Sequence, residues 1–355
     1  MIYKLGHLIR YILLAIHLVL AIGFMLSAYS SHINPQSFPV LSSSGLAFPF
    51  LLVINLLILL FWAVFYWRYA LLQGVILLLC TAPIGRFLPL NPSSADVPAK
   101  AIKVLTFNTE MFANGTPHSK KNPNPVLDYL LKSDADIICL QECTLWGKLS
   151  QKQINQALKK YKYRHVDKGL SCFSRFPILS STLIKYESQG NHSIAHRIKI
   201  GKDTVLLVNN HLESNRLVAS DKEAYKQMVK HPKQGDFKGE GVKILQKLTK
   251  AAVTRSKQAE KVAEAIAQFE GENIIVCGDF NDTPFSYAYR TIRGGLKDAF
   301  VDSGNGPGFS YHRSGMYYRI DHLLVSPHFK TYQCTVDRSV SASDHYPVWC
   351  YLFWE

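Results

Sequence analysis

Charged side chains are missing from long stretches of the first part of the chain. No Lys, Arg, Asp or Glu occurs within residues 11–29, 46–67 or 69–84. A membrane-spanning helix requires about 20 apolar residues, whereas the apolar core of a signal peptide is shorter, at about 7–15 residues. The pattern therefore predicts a transmembrane region over residues 1–90 with about three helices, at 8–29, 46–67 and 69–88. Two spans with a hairpin at the membrane surface, or helices buried in a core, are the alternatives.

Basic residues are distributed unevenly around these segments. Residues 30–45 contain no Lys or Arg, whereas Lys4, Arg10 and Arg68 flank the opposite ends of the predicted spans. Because Lys and Arg near span ends favour the cytoplasmic side, three spans would place the chain after residue 90 outside the cytoplasm. The sequence thus predicts a multi-pass integral membrane protein with an extracytoplasmic domain. If the third segment does not cross, that domain would lie in the cytoplasm.

Motifs of several enzyme and metal-site classes are absent as well. None of the seven Cys has the Cys-x-x-Cys spacing of a zinc site, and six of them lie in the later part of the chain, most within strand-like apolar runs. The chain also lacks a Gly-x-Ser-x-Gly nucleophile elbow and a phosphate-binding P-loop. These absences argue against a structural zinc site, against a serine hydrolase with a nucleophile elbow and against a P-loop nucleotide hydrolase. Because most of these Cys lie in strand-like apolar runs, we predict that they are buried free thiols.

A Pro- and Ser-containing linker is predicted at residues 91–100, and short apolar strands alternate with helical stretches after it. The clearest elements are strands at 102–108 and 135–141, a helix at 125–132 and a long helix at 242–266. The spacing indicates roughly a dozen strands, several in close succession. We therefore predict one α/β domain of the α+β type over residues 101–355, with two packed sheets flanked by helices.

Polar side chains capable of chemistry follow these strands repeatedly. They are Asn108, Glu142, His211, Asp279, Asn281, Asp321, Asp344 and His345. Each one alone could be a turn or cap residue, but loops at one edge of a sheet converge on functional sites. Four carboxylates and an amide form an oxygen-rich set that suits Mg²⁺ or Mn²⁺, and two His can donate protons. The set fits metal-dependent hydrolysis of a phosphate ester.

A family resemblance rests on seven segments that occur in a fixed order between residues 102 and 354. They are LTFNTE, ADIICLQE, GLSCFSRFPI, NNHLES, IIVCGDFNDTP, YRIDHLLVS and SDHYPV. Together they resemble the successive signatures of the endonuclease/exonuclease/phosphatase superfamily, here in a membrane-anchored member of bacterial type. The resemblance implies a deoxyribonuclease-I-like fold, a four-layer α/β/β/α sandwich, and a Mg²⁺-dependent hydrolase of phosphoester bonds, with Mn²⁺ as an alternative metal.

The same resemblance implies a set of metal-binding residues. Glu142 would bind the divalent metal, and Asn108 and Asp344 would lie close to it. Glu110 falls where some members carry an Asp near the metal. It is therefore a further candidate ligand, although its longer side chain departs from that pattern.

The catalytic residues are implied in the same way. Asp279 would orient or deprotonate the attacking water, and Asn281 would help to hold that water and the phosphate. His345, oriented by Asp321, would contact the phosphate. His211 stands where the nuclease and lipid-phosphatase branches carry a His that assists the leaving group.

The substrate class stays open at the level of the sequence. Residues 216–261 carry twelve Lys or Arg and five acidic residues, which suits a nucleic-acid backbone, anionic lipid headgroups or a solvated helix face. We predict a membrane-anchored phosphodiesterase, with an endonuclease as one form. The alternatives are a phospholipase or sphingomyelinase, for which Tyr317 and Tyr318 could form an apolar rim, an inositol-phosphate phosphoesterase, and a non-catalytic binding module. The expected partners are the lipid bilayer and a nucleic-acid or phospholipid substrate, and no protein partner is implied.

Overall fold

The computed structural model describes the chain apart from residues 1, 93–95, 145, 146, 148, 232 and 234. Part of the predicted linker therefore lies outside the described residues. An N-terminal helical region precedes a domain of two β-sheets. The helices of the first region are α1 (Ile2–Ala28), α2 (Pro39–Ser42), α3 (Phe48–Phe65), α4 (Trp67–Leu79) and α5 (Thr81–Phe87).

Two segments of the helical region are long and apolar enough to cross a membrane, namely Leu5–Ala28 and Pro39–Phe65. The third predicted helix, 69–88, is instead broken into α4 and α5, whose axes differ by 63°. Pro83 explains the break, because proline has no N–H for the carbonyl four residues earlier, at Leu79, and its ring clashes there. The hydroxyl of Tyr29 donates a hydrogen bond to that carbonyl. A third crossing exists only if the bent pair counts as one span.

Buried polar side chains join the helices of this region. Nε1 of Trp62 donates to Nδ1 of His17 at 3.1 Å, and the other ring nitrogen of His17 lies 2.7 Å from Oε1 of Gln73. The Gln73 amide in turn donates to Oδ1 of Asn55 at 3.1 Å. Because an indole can only donate, Nδ1 of His17 accepts and Nε2 donates. These hydrogen bonds form a continuous chain that holds the helices together.

Two six-stranded sheets form the second part of the chain. Their strands are β1 (Ile102–Asn108), β2 (Ile137–Gln141), β3 (Tyr163–Asp167), β4 (Leu170–Ser174), β5 (Ile178–Ile184), β6 (Ser193–Ile200), β7 (Asp203–His211), β8 (Ile274–Asp279), β9 (Lys297–Asp298), β10 (Asp321–Val325), β11 (Lys330–Val336) and β12 (Val348–Phe353). The strand order is β11-β12-β1-β2-β4-β3 in the first sheet and β5-β6-β7-β8-β10-β9 in the second.

Helices cover the outer face of each sheet. The helices of this part are α6 (Glu110–Gly115), α7 (Pro125–Lys132), α8 (Gln151–Ala157), α9 (Ala219–Lys230), α10 (Val242–Ala267), α11 (Tyr287–Arg293) and α12 (Ala299–Ser303). One apolar core lies between the sheets, a second lies under α7 and α8, and a third lies under α10 and α11. The predicted four-layer α/β/β/α sandwich is confirmed.

Local sequence signals account for the elements around the site. All five residues of β2 are buried, as the continuous apolar run predicts for a strand covered on both faces. The helix α7 begins where Asn124 accepts hydrogen bonds from the N–H groups of Val126 and Leu127, with Pro125 in its first turn. Its bounds match the predicted 125–132. Helix α9 was not predicted, because its apolar positions are few.

The helical region packs directly against the sandwich. The ring of Phe285, which follows β8, stacks on Phe48 with 4.1 Å between the ring centroids, and it belongs to the apolar core of the N-terminal helices. The Ser30 hydroxyl donates to the Phe285 carbonyl at 2.8 Å, and the Arg86 guanidinium donates to the Pro284 carbonyl at 3.3 Å. The loop after β8 is therefore fixed on one side by the second sheet and on the other by the helical region.

Candidate active site

The predicted site residues meet where strands of both sheets end. Each sheet contains one parallel pair, β1 with β2 and β7 with β8, which aligns Asn108 with Gln141 and His211 with Asp279. Strand β10 runs antiparallel to β8 and aligns Asp321 with Asp279 on its other side. Asp279 therefore lies between a His and a second carboxylate, as a consequence of strand register.

Asp279 is held rigidly by amide groups. Its Oδ1 accepts from the backbone N–H of Asn281 at 2.7 Å, and its Oδ2 accepts from the side-chain amides of Asn108 at 3.0 Å and Asn281 at 3.2 Å. Asn281 has a φ of 51°, which places it in the left-handed region that Asn tolerates. Its amide also donates to the Leu212 carbonyl at 3.0 Å. The carboxylate and the amide after β8 thus share one orientation.

Asp321 and His345 form a second buried pair. Nδ1 of His345 lies 2.7 Å from Oδ2 of Asp321, and Nε2 of His345 lies 3.7 Å from Oδ2 of Asp279. The Ser310 hydroxyl accepts from the backbone N–H of Asp321 at 3.0 Å. Although burial opposes it, the Asp321 and Asp279 carboxylates raise the pKa of His345 to about 10. His345 is therefore a cation whose Nε2–H faces Asp279.

His211 completes the arrangement from the end of β7. Its Nε2 lies 3.7 Å from Oδ2 of Asp279 and 3.7 Å from Oε1 of Glu142. Both distances exceed that of a hydrogen bond, and this buried nitrogen has no hydrogen-bond partner among the described residues. Burial lowers the pKa of His211. The carboxylates of Glu142 and Asp279 line an open cavity, and Nε2 of His211 lies near both without a hydrogen bond to either.

The protonation of Asp279 is also perturbed. Burial raises its pKa to about 6, and the Asp321 carboxylate adds to the increase while His345 opposes it. A carboxylate with a pKa near 6 accepts a proton effectively close to neutral pH. The two buried carboxylates therefore occupy different positions: Asp321 is paired with a cation, and Asp279 faces the open space.

Glu142 is the acid that fits a divalent metal best. Its side chain retains 36% exposure and accepts from the Asn108 amide at 3.1 Å. Burial raises its pKa, and the nearby Asp344 and Glu110 carboxylates act in the same direction. A divalent cation would relieve this concentration of negative charge, and carboxylate oxygens are its preferred ligands. Asn108 contacts Glu142 through its amide N–H, which donates and does not ligate, so the role of Glu142, Asn108 and Asp344 as metal ligands stays a prediction.

A second group has the spacing of a metal site. Ligand atoms of Asp279, Asp321 and His345 all lie within 4.8 Å of one another. Within this group, Nδ1 of His345 is already hydrogen-bonded to Oδ2 of Asp321 at 2.7 Å. We therefore treat this group as a hydrogen-bonded charge pair beside Asp279.

Glu110 has a different environment from the other acids. It opens a left-handed turn in which residues 110–114 all have positive φ. Both oxygens of its carboxylate accept from the Arg313 guanidinium, the Oε2 contact measuring 3.0 Å, and Oε2 also accepts from the backbone N–H of Asp344 at 3.1 Å. Because Arg313 already neutralises Glu110, this carboxylate positions Asp344 and is poorly suited to hold a metal.

Sequence reasoning missed three residues of the site. Arg313 pairs with Glu110, and its guanidinium lies 3.7 Å from Asp344. The ring of Tyr311 packs edge-on against His345 with 5.2 Å between centroids, and its hydroxyl accepts from Nζ of Lys222 at 2.7 Å. Each contact joins segments that are distant in the chain and carry no motif, so the sequence held no signal for them beyond their polarity.

The chain resembles known proteins in family and in fold. A model of the Endonuclease/Exonuclease/phosphatase family matches residues 105–345, and a model described as a domain of unknown function matches residues 10–87. The catalytic domain of human nocturnin is 17% identical, with a TM-score of 0.51 over 73% of this chain and 97% of that chain.

Two further solved structures are similar at lower scores. Sphingomyelinase C from Streptomyces griseocarneus is 17% identical, with a TM-score of 0.48 over 71% of this chain and 99% of that chain. A mannosyl-6-phosphatase from Bacteroides thetaiotaomicron is 19% identical, with a TM-score of 0.48 over 71% and 100%. A sequence search of curated proteins gives no significant match. Because the family model spans more than half of the chain and the sandwich agrees with it, the protein belongs to the endonuclease/exonuclease/phosphatase family of phosphoester hydrolases.

Proposed function

We propose that this protein is a membrane-anchored, divalent-metal-dependent phosphodiesterase. The observation that carries the proposal is the convergence of four side chains on one space. Oδ2 of Asp279 lies 3.7 Å from Nε2 of both His211 and His345, and Oε1 of Glu142 lies 3.7 Å from Nε2 of His211. A base, two ring nitrogens and a metal-type acid are the groups that hydrolysis of a phosphoester requires.

Each residue has a role that its surroundings support. Asp279, with a pKa near 6, accepts the proton of the attacking water, and the Asn281 and Asn108 amides fix the direction of its lone pairs. The His345 cation contacts a phosphate oxygen and is held charged by Asp321. His211 faces the leaving oxygen. Glu142, Asp344 and Asn108 hold Mg²⁺ or Mn²⁺, which neutralises the charge of the phosphate when bound.

The helical region supports membrane anchoring and an orientation. The guanidinium of Arg10 lies 5.8 Å from the ring centre of Tyr66, so the start of α1 and the end of α3 lie together. Ser30 and Arg86 contact the loop after β8 at the other end. With the bent pair α4 and α5 counted as one span, the chain passes along the region three times, with Arg10 and Arg68 at the end remote from the domain and Arg86 at the near end. By the rule that basic flanks stay in the cytoplasm, the catalytic domain is extracytoplasmic.

The test uses the full-length protein and a soluble phosphodiester, bis(4-nitrophenyl) phosphate. We expect hydrolysis with Mg²⁺ or Mn²⁺, none after chelation, and a loss of at least about 100-fold in kcat for Asp279→Asn, because the general base contributes about 10²–10⁴-fold. Asp128→Asn is the matched control, since this half-exposed carboxylate on α7 is paired with Lys132. Equal activity in Asp279→Asn and the wild type would contradict the proposal.

A further inference from the structure

The helical region and the sandwich together line one cavity. Its volume is about 270 Å³, and residues of the proposed active site line it, among them Glu142, Asp279 and His345. The segment between α1 and α3 lines the same cavity through Pro35, Gly45 and Leu46. Small-ligand sites measure about 300–1,000 Å³. The cavity therefore suits one end of a small molecule, and the helical region contributes directly to it.

Much of the cavity wall has no role in phosphate chemistry. Leu248 and Ala252 of α10 and Met316 and Ile320 before β10 present apolar groups to it, together with Leu46. Polar side chains such as Ser43, Asn215 and Arg255 also line the cavity and could bind polar groups of a substrate, but the apolar part of the wall is covered favourably only by apolar groups. A hydrocarbon chain gains from the same contact. The wall therefore favours a substrate with an apolar substituent beside its phosphate.

The position of the cavity agrees with a substrate from the bilayer. The α2 segment packs against α10, and Phe285 inserts among Phe24 and Phe48 at one end of the N-terminal helices. Pro39–Phe65 is one of the two candidate spans. The cavity thus lies where the apolar helices end and the catalytic domain begins, which is the level of the lipid headgroups for helices of this length.

The surface beside the cavity combines apolar and basic side chains. Phe38, Val40 and Leu41, in and before α2, are 60%, 57% and 45% exposed, and Val242 and Leu245 at the start of α10 are 45% and 37% exposed. They lie beside or within the basic segment 216–261, which carries twelve Lys or Arg. Six of these are ion-paired, namely Arg216, Lys226, Lys243, Lys247, Arg255 and Lys261. Exposed aliphatic side chains among basic ones are typical of a surface that rests on anionic lipid, and a nucleic-acid backbone offers nothing for the aliphatic groups.

We propose that the substrate is a phospholipid of the membrane that holds the N-terminal helices, with its phosphate at Asp279, His211 and His345 and its hydrocarbon along Leu46 and Leu248. This inference rests on the proposed phosphodiesterase activity. In the reaction, the oxygen of water bonds to phosphorus, the P–O bond to one alcohol breaks, and the proton of the water ends on the leaving oxygen. The products are one phosphomonoester and one alcohol, and no further reactant is needed.

The first test measures binding alone and does not depend on turnover. Ethyl, butyl and hexyl phosphate are titrated into full-length protein in lipid nanodiscs by calorimetry. We expect the dissociation constant to fall about fourfold for each added methylene in the wild type, as burial of a CH₂ predicts. Leu248→Trp, which fills the apolar side, and Leu46→Gln, which makes it polar, should both flatten this dependence. Leu131→Trp is the matched control, because Leu131 is exposed on α7 and distant from the cavity.

The outcomes separate the inference from the activity on which it rests. The inference of a lipid substrate is overturned if the wild-type affinity does not depend on the length of the alkyl chain. It is also overturned if the affinity depends on chain length equally in both cavity variants and in the control. If the affinity depends on chain length as expected but no ester is hydrolysed in the presence of metal, the proposed function is overturned, and the inference of a lipid substrate with it. Thermal unfolding of each variant shows whether the variant is folded. Because two different cavity variants are used, the test can still be carried out if one of them does not fold.

The second test follows the product. Vesicles of phosphatidylcholine and phosphatidylglycerol in equal amounts are incubated with the full-length protein and Mg²⁺, and released phosphate esters are identified by phosphorus NMR. We expect water-soluble esters in the wild type and in the control Leu131→Trp, and at least tenfold less with Leu248→Trp. Nicking of supercoiled plasmid without release from the vesicles would overturn the inference and assign the basic segment to nucleic acid.

Discussion

Nδ1 of His345 lies 2.7 Å from Oδ2 of Asp321, and both side chains are almost completely buried. A buried imidazolium is stable only with a negative partner at this distance, because desolvation otherwise favours the neutral ring. Asp321 therefore keeps His345 charged, and the charge faces the space beside Asp279. In the proposed reaction, the pair would supply a fixed positive group to a developing phosphate charge without moving.

Replacing Asp321 by Asn should remove the charge and keep the shape. We expect kcat to fall about 100-fold or more, the size of the effect of one electrostatic contact in a preorganised site, with a smaller change in KM. The His345 ring should titrate at a lower pH, which proton NMR of the imidazole measures. Asp302→Asn serves as control, since Asp302 is exposed and pairs with Lys297. An unchanged kcat together with a neutral His345 would contradict the role.

The two glutamates near the metal position should respond differently to substitution. Glu142→Gln should weaken Mn²⁺ binding at least tenfold, because a ligand carboxylate is lost. Glu110→Gln should change it less than about threefold, because Arg313 already neutralises that carboxylate. Paramagnetic resonance of Mn²⁺ titrated into each variant measures both constants without reference to turnover. Equal losses in the two variants would show that Glu110 also binds the metal.

A buried His remote from the site should make folding sensitive to acid. His196 on β6 is 1% exposed, and burial, with a smaller effect of His165, lowers its pKa to about 3. The unfolded chain binds the proton near pH 6.5, so the stability is complete above that pH and decreases as the pH falls toward 3. Between pH 7.5 and pH 5 this amounts to about 2 kcal/mol, at about 1.4 kcal/mol for each unit of pKa difference.

His196→Gln isolates that contribution. The Ser181 hydroxyl lies 2.8 Å from Nδ1 of His196, and a glutamine amide can replace this hydrogen bond without titrating. Urea unfolding followed by Trp fluorescence should show about 2 kcal/mol less acid destabilisation in the variant over the same pH interval. His328→Gln, at an exposed residue, should behave as the wild type does. The same pH dependence in His196→Gln and the wild type would mean that other groups cause the effect.

Strand register explains why much of the site could be predicted. Asp279 and His211 end adjacent parallel strands, and a run of apolar residues followed by a polar one fixes both the strand and its end. The sandwich follows from the same patterns. Contacts that depend on side-chain direction in loops were not predictable: Arg313 meets Glu110 across 203 positions of the chain, and neither residue lies in a periodic pattern.

The packing of the helical region against the loop after β8 could not be predicted from the sequence for a similar reason. The sequence around Phe285 has the Pro, Thr and Ser content of a turn, and its insertion among Phe24 and Phe48 depends on tertiary packing. The break at Pro83 is different, because proline alone determines it. The continuous apolar content of residues 69–88 predicts one helix, whereas Pro83 indicates the break into two that the structure shows.

The polar chain in the helical region should respond to substitution in a way that reveals its pairing. Gln73→Leu removes the partner of both His17 and Asn55, and a buried polar group without a partner costs about 1–3 kcal/mol. We expect a lower midpoint of thermal unfolding in detergent. The double variant Asn55→Leu with Gln73→Leu should recover part of the loss, because Asn55 is one of the two groups that Gln73→Leu leaves without a partner, and removing both partners is less costly than removing one. If the double variant loses more stability than the two single variants lose together, this pairing is contradicted.

Phe285 should hold the catalytic cavity together with the helices that complete it. Phe285→Ala removes a ring that is 2% exposed and stacked on Phe48, a type of change that costs about 3–5 kcal/mol in a packed core. Because Ser30 and Gly45 contact the backbone and side chain of Phe285, residues 29–47 should exchange their amide hydrogens faster, while β1 and β8 stay protected. Mass spectrometry of exchange measures both, and Phe237→Ala, at an exposed ring, is the control. Unchanged exchange in residues 29–47 would mean that the helical region is held by other contacts, and that the cavity does not depend on this ring.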